Sequence, residues 1–203
     1  MTSVPLAPQL AESTTTVVIG SGFSGLAVAS ELSRQGVASI VVDGLELMGA
    51  ALPLRRVGLA EPGALSERGE ILRLLWHYAE THHVDVRRST HALELRMAAP
   101  HLPGALPLPK KWIIRTAEGL LLADNVVFTR CGQNQLRRIL ASLGIKIGRD
   151  VPNAMRALGL YLVGVGDLIS PTTREILHQA KAVSNAISAT ISAADIPELT
   201  VLA

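Results

Sequence analysis

Residues 17–32 read VVIGSGFSGLAVASEL, an apolar strand running into Gly20, Gly22 and Gly25 and straight on into a helix. Glycine is a poor residue with which to start a helix, so its repeated use here needs a cause. The spacing GxGxxG supplies one. It opens the unpaired amides of the first helical turn, and the positive end of the helix dipole, to a diphosphate. Gly20 allows the tight turn, Gly22 lets the backbone approach the pyrophosphate, and Gly25 lets helix and strand pack closely. Phe23 and Ser24, inside the same turn, count with them as cofactor-binding positions.

Working outward, residues 14–19 are β-branched and apolar enough for a buried strand, residues 24–34 have helical spacing, and residues 38–42 form a second short apolar strand. That is a βαβ unit with parallel strands and a right-handed crossover. Asp43, followed by Gly44, sits at the end of the second strand, where a carboxylate can accept both hydroxyl protons of an adenosine ribose. A purely structural glycine turn is the competing reading. Against it, strand, glycines, helix, Gly36, second strand and acid all come in register.

Further along, residues 44–69 are rich in Gly, Pro and Ala and read as a long functional loop. The spacing predicts a helix over 70–83, then over 84–97 a strand pair or one long bent strand. Residues 98–111 carry four prolines and read as a loop. A hairpin around Glu118-Gly119, a buried strand over 125–129 and an amphipathic helix ended by Gly144 follow. Residues 158–167, LGLYLVGVGD, are a strand with a glycine-rich end, and residues 172–193 a long helix. The expected boundaries are a loose tail over 1–13, one dinucleotide-binding domain over 14–194 and a second tail over 195–203.

Composition narrows the class. The chain has 203 residues, 48% of them hydrophobic and 18% charged, which is enough to bury a core. Its formal net charge is +2, and the basic residues come as scattered pairs without interleaved aromatics, so nucleic acid is not an expected partner. The lone Cys131 excludes an internal disulfide and any CxxC motif, and fits a reducing, cytoplasmic compartment. No secretory signal and no apolar run long enough for a membrane span is visible. A mean hydropathy of +0.34 points to surface hidden against a partner.

The stretch VVIGSGFSGLA resembles the first motif of the two-dinucleotide-binding-domain flavoproteins, especially the flavin-containing and Baeyer–Villiger monooxygenases. The likeness covers most of residues 15–192. HYAETHHVDVRRSTHALEL resembles the helix and strand that bring a backbone amide to adenine, which implies Ala92 as the adenine contact. LLLADNVVFTRCG resembles the hairpin and strand that end in Ala-Thr-Gly in that family, and implies a flavin-side role for Gly132. LGLYLVGVGD resembles the late strand whose final acid holds the ribityl or pyrophosphate part of FAD, which implies that role for Asp167 beside Gly166. The next helix, starting near Thr172, would turn its N-terminal amides toward the flavin pyrimidine edge. FAD is therefore the implied cofactor, within an α/β fold made of a Rossmann-type parallel sheet and a small β-meander.

Two departures matter. The Ala-Thr-Gly position reads Arg130-Cys131-Gly132, and no second GxGxxG follows, so no separate nicotinamide domain is expected. The expected activity is an FAD-dependent oxidoreductase, a dehydrogenase or oxidase in which a small-molecule substrate, an alcohol or amine, itself reduces the flavin. The alternatives are a monooxygenase using NAD(P)H or a separate reductase, and a non-catalytic FAD-binding subunit of a larger complex. A flavin on so small a domain would be open to water, so a homo-oligomer or a partner subunit is expected to cover it.

The remaining candidates weigh toward structure. His178 is a candidate base, though a surface or interface histidine is the commoner role. His77, His82 and His83 lack the companions of a metal site, and no metal is expected. Cys131 is a packing residue rather than a reactive thiolate, Trp112 an anchor for the sheet, and Arg55-Arg56 solvated rather than phosphate-binding. No Ser/His/Asp arrangement supports a hydrolase.

Overall fold

The computed structural model describes residues 11–46, 62–98, 111–129, 131, 133–144, 150–165 and 171–194. The glycine-rich stretch folds as the spacing requires. Strand β2 (Thr16–Ile19) leads into helix α1 (Phe23–Arg34), and strand β3 (Ser39–Leu45) returns parallel to β2. Val17, Val18 and Ile19 are all 0% exposed, so β2 is covered on both faces, as expected of a central parallel strand.

Helix α2 (Pro62–Thr81) precedes strand β4 (Asp85–Met97), a single bent strand that serves two neighbours. Its first half runs parallel to β3 as far as Leu45 opposite Ala92, and its second half pairs antiparallel with β5 (Trp112–Thr116). Strand β6 (Leu120–Ala123) closes the hairpin, and β4, β5 and β6 make the meander. Strand β7 (Asn125–Phe128) pairs parallel with β2, helices α3 (Gln133–Ser142) and α4 (Val151–Ala157) follow, and the short β8 (Leu160–Leu162) runs parallel to β7. Helix α5 (Thr173–Ala194) completes the described chain. With strand β1 (Ala11–Ser13) the order across one eight-stranded sheet is β1-β6-β5-β4-β3-β2-β7-β8.

Alternation along the central strands sends side chains to two cores. Val18, Val41 and Val127 meet Val28 of α1 and Ile176, Ala180 and Ile187 of α5 on one face. Val17, Ile19, Ile40 and Val42 meet Trp112, Ile114, Leu140 and Met155 on the other. Trp112 is the anchor its position predicts: it is fully buried, and its indole N–H donates to Leu158 O at 2.8 Å, tying the meander to the end of α4.

Three expectations change. Residues 11–13, expected in a loose tail, form an edge strand paired with β6 and held by Arg87, whose guanidinium donates to both Glu12 oxygens at 2.8 Å. Helix α2 begins at Pro62, where a loop was expected up to residue 69. Pro at the first helical position costs nothing, while Gly63 and Gly69, at about 1 kcal/mol each against Ala, hid the pattern; packing of Ile71, Leu72 and Leu75 against the core offsets them. Helix α4 was not anticipated, because its seven residues are too short to display a period and include a proline. Among the described residues, no helix is long and apolar enough to cross a membrane.

Candidate functional site

The glycine turn joins the C-terminal end of β2 to α1. Gly20 has φ 120°, in the region that favours glycine, and its N–H donates to Val42 O at 2.8 Å, locking the turn to β3. Gly25 sits against that turn: a Cβ there would lie 1.7 Å from Gly20 O, so only glycine permits this approach of helix to strand. Gly22 is the N-cap, with φ −79° and ψ −166° and no side-chain cap bond, and the first turn holds no acidic residue. A Cβ at Gly22 would meet nothing within 4 Å. The positive end of α1 therefore has no anionic side chain of its own, and the described residues leave room beside Gly22; this arrangement fits a diphosphate.

Phe23 and Ser24 are buried, and the Arg68 guanidinium of α2 lies 4.8 Å from the Phe23 ring centroid. Thr129, at the end of β7, ties the turn from beneath. Its N–H donates to Ile19 O at 2.9 Å, and its hydroxyl lies 3.0 Å from Ile19 O and 3.1 Å from Gly20 O.

Asp43 stands at the end of β3, beside the turn, and its carboxylate accepts a short hydrogen bond from the Ser21 hydroxyl. The imidazole Nε2 of His91, on β4, is 3.5 Å from Asp43 Oδ2 and 3.6 Å from Glu46 Oε1. Gly44 pairs with His91 just past a register shift in β3. Ala92 is fully buried at the bend of β4, where the strand leaves β3 for β5, and its carbonyl accepts from Glu46 N–H at 2.8 Å.

A second glycine junction lies against the first. Gly164, just beyond β8, has φ +70°, and a Cβ there would fall 2.3 Å from the Ser24 hydroxyl oxygen. Its N–H donates to Gln179 Oε1 of α5 at 2.8 Å. The fold thus gathers Gly20, Gly22, Phe23, Ser24, Gly25, Asp43, Gly44 and Ala92 at one end of the sheet, with Gly164 pressed onto α1. Gly132, Gly166, Asp167 and Arg55-Arg56 lie outside the described residues.

Thr172 first of all caps α5. Its N–H and hydroxyl donate to Glu175 Oε2 at 2.7 and 3.0 Å, and Glu175 N–H donates to the Thr172 hydroxyl at 3.2 Å. The Thr172 amide and hydroxyl hold the Glu175 carboxyl below its ordinary range. The amides of Thr172 and Glu175 are therefore paired within the helix start. His178 is exposed, while its neighbour Ile176 faces α1. Cys131 packs against the core, and burial pushes its thiol up to about 12, which removes the thiolate reading. The His82 ring stacks on Tyr78 at 4.1 Å between centroids.

Sequence reasoning missed Ser21, His91, Thr129 and Arg68. Ser21 lay in plain view between two glycines, and His91 beside Ala92. Their partners depend on strand order and register, which local pattern does not carry.

No protein-family model matches the chain, and no curated protein matches it in sequence. Solved structures do. THI4 from Thermovibrio ammonificans is similar over 89% of this chain and 90% of its own length, with 13% identity and a TM-score of 0.56. A geranylgeranyl bacteriochlorophyll reductase-like protein from Thermoplasma acidophilum matches 91% of this chain and 80% of its own, with 11% identity and a TM-score of 0.54. A thioredoxin reductase from Gloeobacter violaceus is matched over 59% of this chain and 37% of that one, at 17% identity and a TM-score of 0.38. The chain therefore spans little more than a third of that reductase. What the first two likenesses establish is the fold alone, a Rossmann-type α/β fold.

Proposed function

We propose that this chain binds FAD in extended form and serves as an FAD-dependent oxidoreductase. The observation that carries the proposal is the uncapped, acid-free start of α1 above the glycine turn, with Asp43 beside it and the Gly164 junction against it. The α1 amides would hold the pyrophosphate and Asp43 the adenosine ribose, while Gly132, Gly166 and Asp167 would serve the flavin half; Ala92, fully buried with its carbonyl bonded to Glu46 N–H, and Thr172, bonded to Glu175, would first have to give up those partners to take the adenine and flavin contacts the resemblance implies. Bound flavin would supply two-electron acceptance from a small alcohol or amine, with oxygen or another acceptor as the final oxidant. The chain's own residues bind and orient; a homo-oligomeric neighbour or a partner subunit would exclude water from the open side.

Two measurements test this. The purified protein should take up FAD with a visible flavin spectrum, and candidate alcohols or amines should bleach it without oxygen. A folded protein that takes up no FAD overturns the proposal. Bleaching by NADPH alone, at a catalytically useful rate, would reject substrate-driven reduction in favour of the monooxygenase alternative. A second reading, an FAD-holding subunit whose chemistry needs a partner, is favoured by the exposure of His178, the nominated base. It predicts tight flavin without turnover until the partner is added.

A further inference from the structure

Asp43 is hydrogen-bonded from one side and faced from the other by residues that belong to different elements. Ser21, inside the glycine turn, donates to Oδ1. His91, on β4, presents Nε2 at 3.5 Å to Oδ2 and at 3.6 Å to Glu46 Oε1. With carboxylate oxygens on both sides, Nε2 is placed to present an N–H to either. Each Asp43 oxygen so held keeps a further lone pair for an incoming hydroxyl.

We propose that His91 is a positioning residue for the adenosine end of the nucleotide site. It fixes the plane of the Asp43 carboxylate so that the carboxylate reads a ribose diol. This rests on the FAD reading above and adds to it a residue. Exposed carboxylate–imidazole contacts ordinarily contribute little. This one stands at the carboxyl ends of parallel strands, where open α/β sheets bind their ligands, and the Ser21 hydroxyl that shares Asp43 belongs to the glycine turn itself.

The test uses the full chain stripped of flavin, titrated calorimetrically with FAD and with an FAD analogue lacking the adenosine 2′-hydroxyl. Wild type should prefer FAD by about tenfold, the scale of one hydrogen bond to a charged group. H91A should reduce that preference to about twofold or less, and H91Q, whose amide nitrogen can reach the Nε2 position, should restore it. H91N, too short to reach, should behave like H91A and gives the same readout if the alanine variant fails to fold. A variant that weakened both ligands equally would be acting on the fold, and the proposal would fall. It would also fall if H91A kept the full preference, or if wild type bound FAD and the analogue alike; the flavin reading would survive both results. Wild type binding neither ligand would instead sink the flavin reading, and this proposal with it.

Discussion

Helices α1 and α5 each follow a strand with a glycine just beyond its end, Gly20 and Gly164, and the two helix starts are finished in opposite ways. At β2–α1 the helix starts on Gly22 with no side-chain cap and no acid in its first turn. At the start of α5, Thr172 and Glu175 cap one another and place a carboxylate at the positive end of the dipole. A helix start that completes itself has less to offer an external anion. One that leaves its amides and dipole open in a cradle of glycine is built to be completed by something else. On the FAD reading proposed above, the difference assigns the charge of the nucleotide to the first junction and leaves the second chiefly to stabilise its helix.

The strongest way to break the first junction is G25A. The added Cβ would meet backbone, Gly20 O at 1.7 Å, which no rotamer change relieves. We expect a loss of about 3 kcal/mol or more, lowering Tm by roughly 10 °C or preventing soluble expression; thermal unfolding followed by circular dichroism measures it. G22A separates binding from stability. Its Cβ enters open space, so the fold should lose no more than about 1 kcal/mol, the cost of alanine at an N-cap. FAD affinity should nevertheless fall at least about tenfold, because the methyl occupies the approach of the pyrophosphate. Unchanged FAD affinity in a folded G22A protein would contradict the role given to this junction.

The second junction should respond more mildly. G164A would place its Cβ 2.3 Å from the Ser24 hydroxyl, a side-chain atom able to turn away, at a φ of +70°. A loss of about 1–2 kcal/mol is expected in denaturant titration, clearly less than for G25A. The smallest effect belongs to T172A, about 2–4 °C in Tm from loss of the cap. Here pH sharpens the comparison. The folded-state pKa of Glu175 is depressed, so its contribution is present in full above the ordinary carboxylate value and is lost as pH falls through the depressed one. The gap between wild type and T172A should therefore narrow on acidification below the ordinary range, by the part that the Thr172 hydroxyl gives to the charged carboxylate, while the part from the Glu175 N–H bond to that hydroxyl persists. A gap constant with pH would show that the box does not hold in solution.

Much of the scaffold was legible because its signals are local. Residues 14–43 announce strand, glycine turn, helix, strand and acid in order, and β2, α1 and β3 follow within a few residues of that reading. The hairpin at Glu118-Gly119 and the long final helix were equally plain. What escaped was structure held by distant partners. Strand β1 has three exposed residues and no pattern of its own; it exists through pairing with β6 and the Arg87–Glu12 bonds. The start of α2 was masked by Gly63 and Gly69, and only packing against the core makes it affordable.

The amino-acid order by itself determined the βαβ unit, the glycine cradle and the acid at its lip, since propensity, period and backbone sterics act over a few residues. Tertiary structure decided which groups surround that acid. His91 meets Asp43 because β4 lies beside β3 and a register shift sets His91 opposite Gly44. Such a contact depends on strand order and on register, and a one-residue slip would have turned the imidazole to the other face of the sheet.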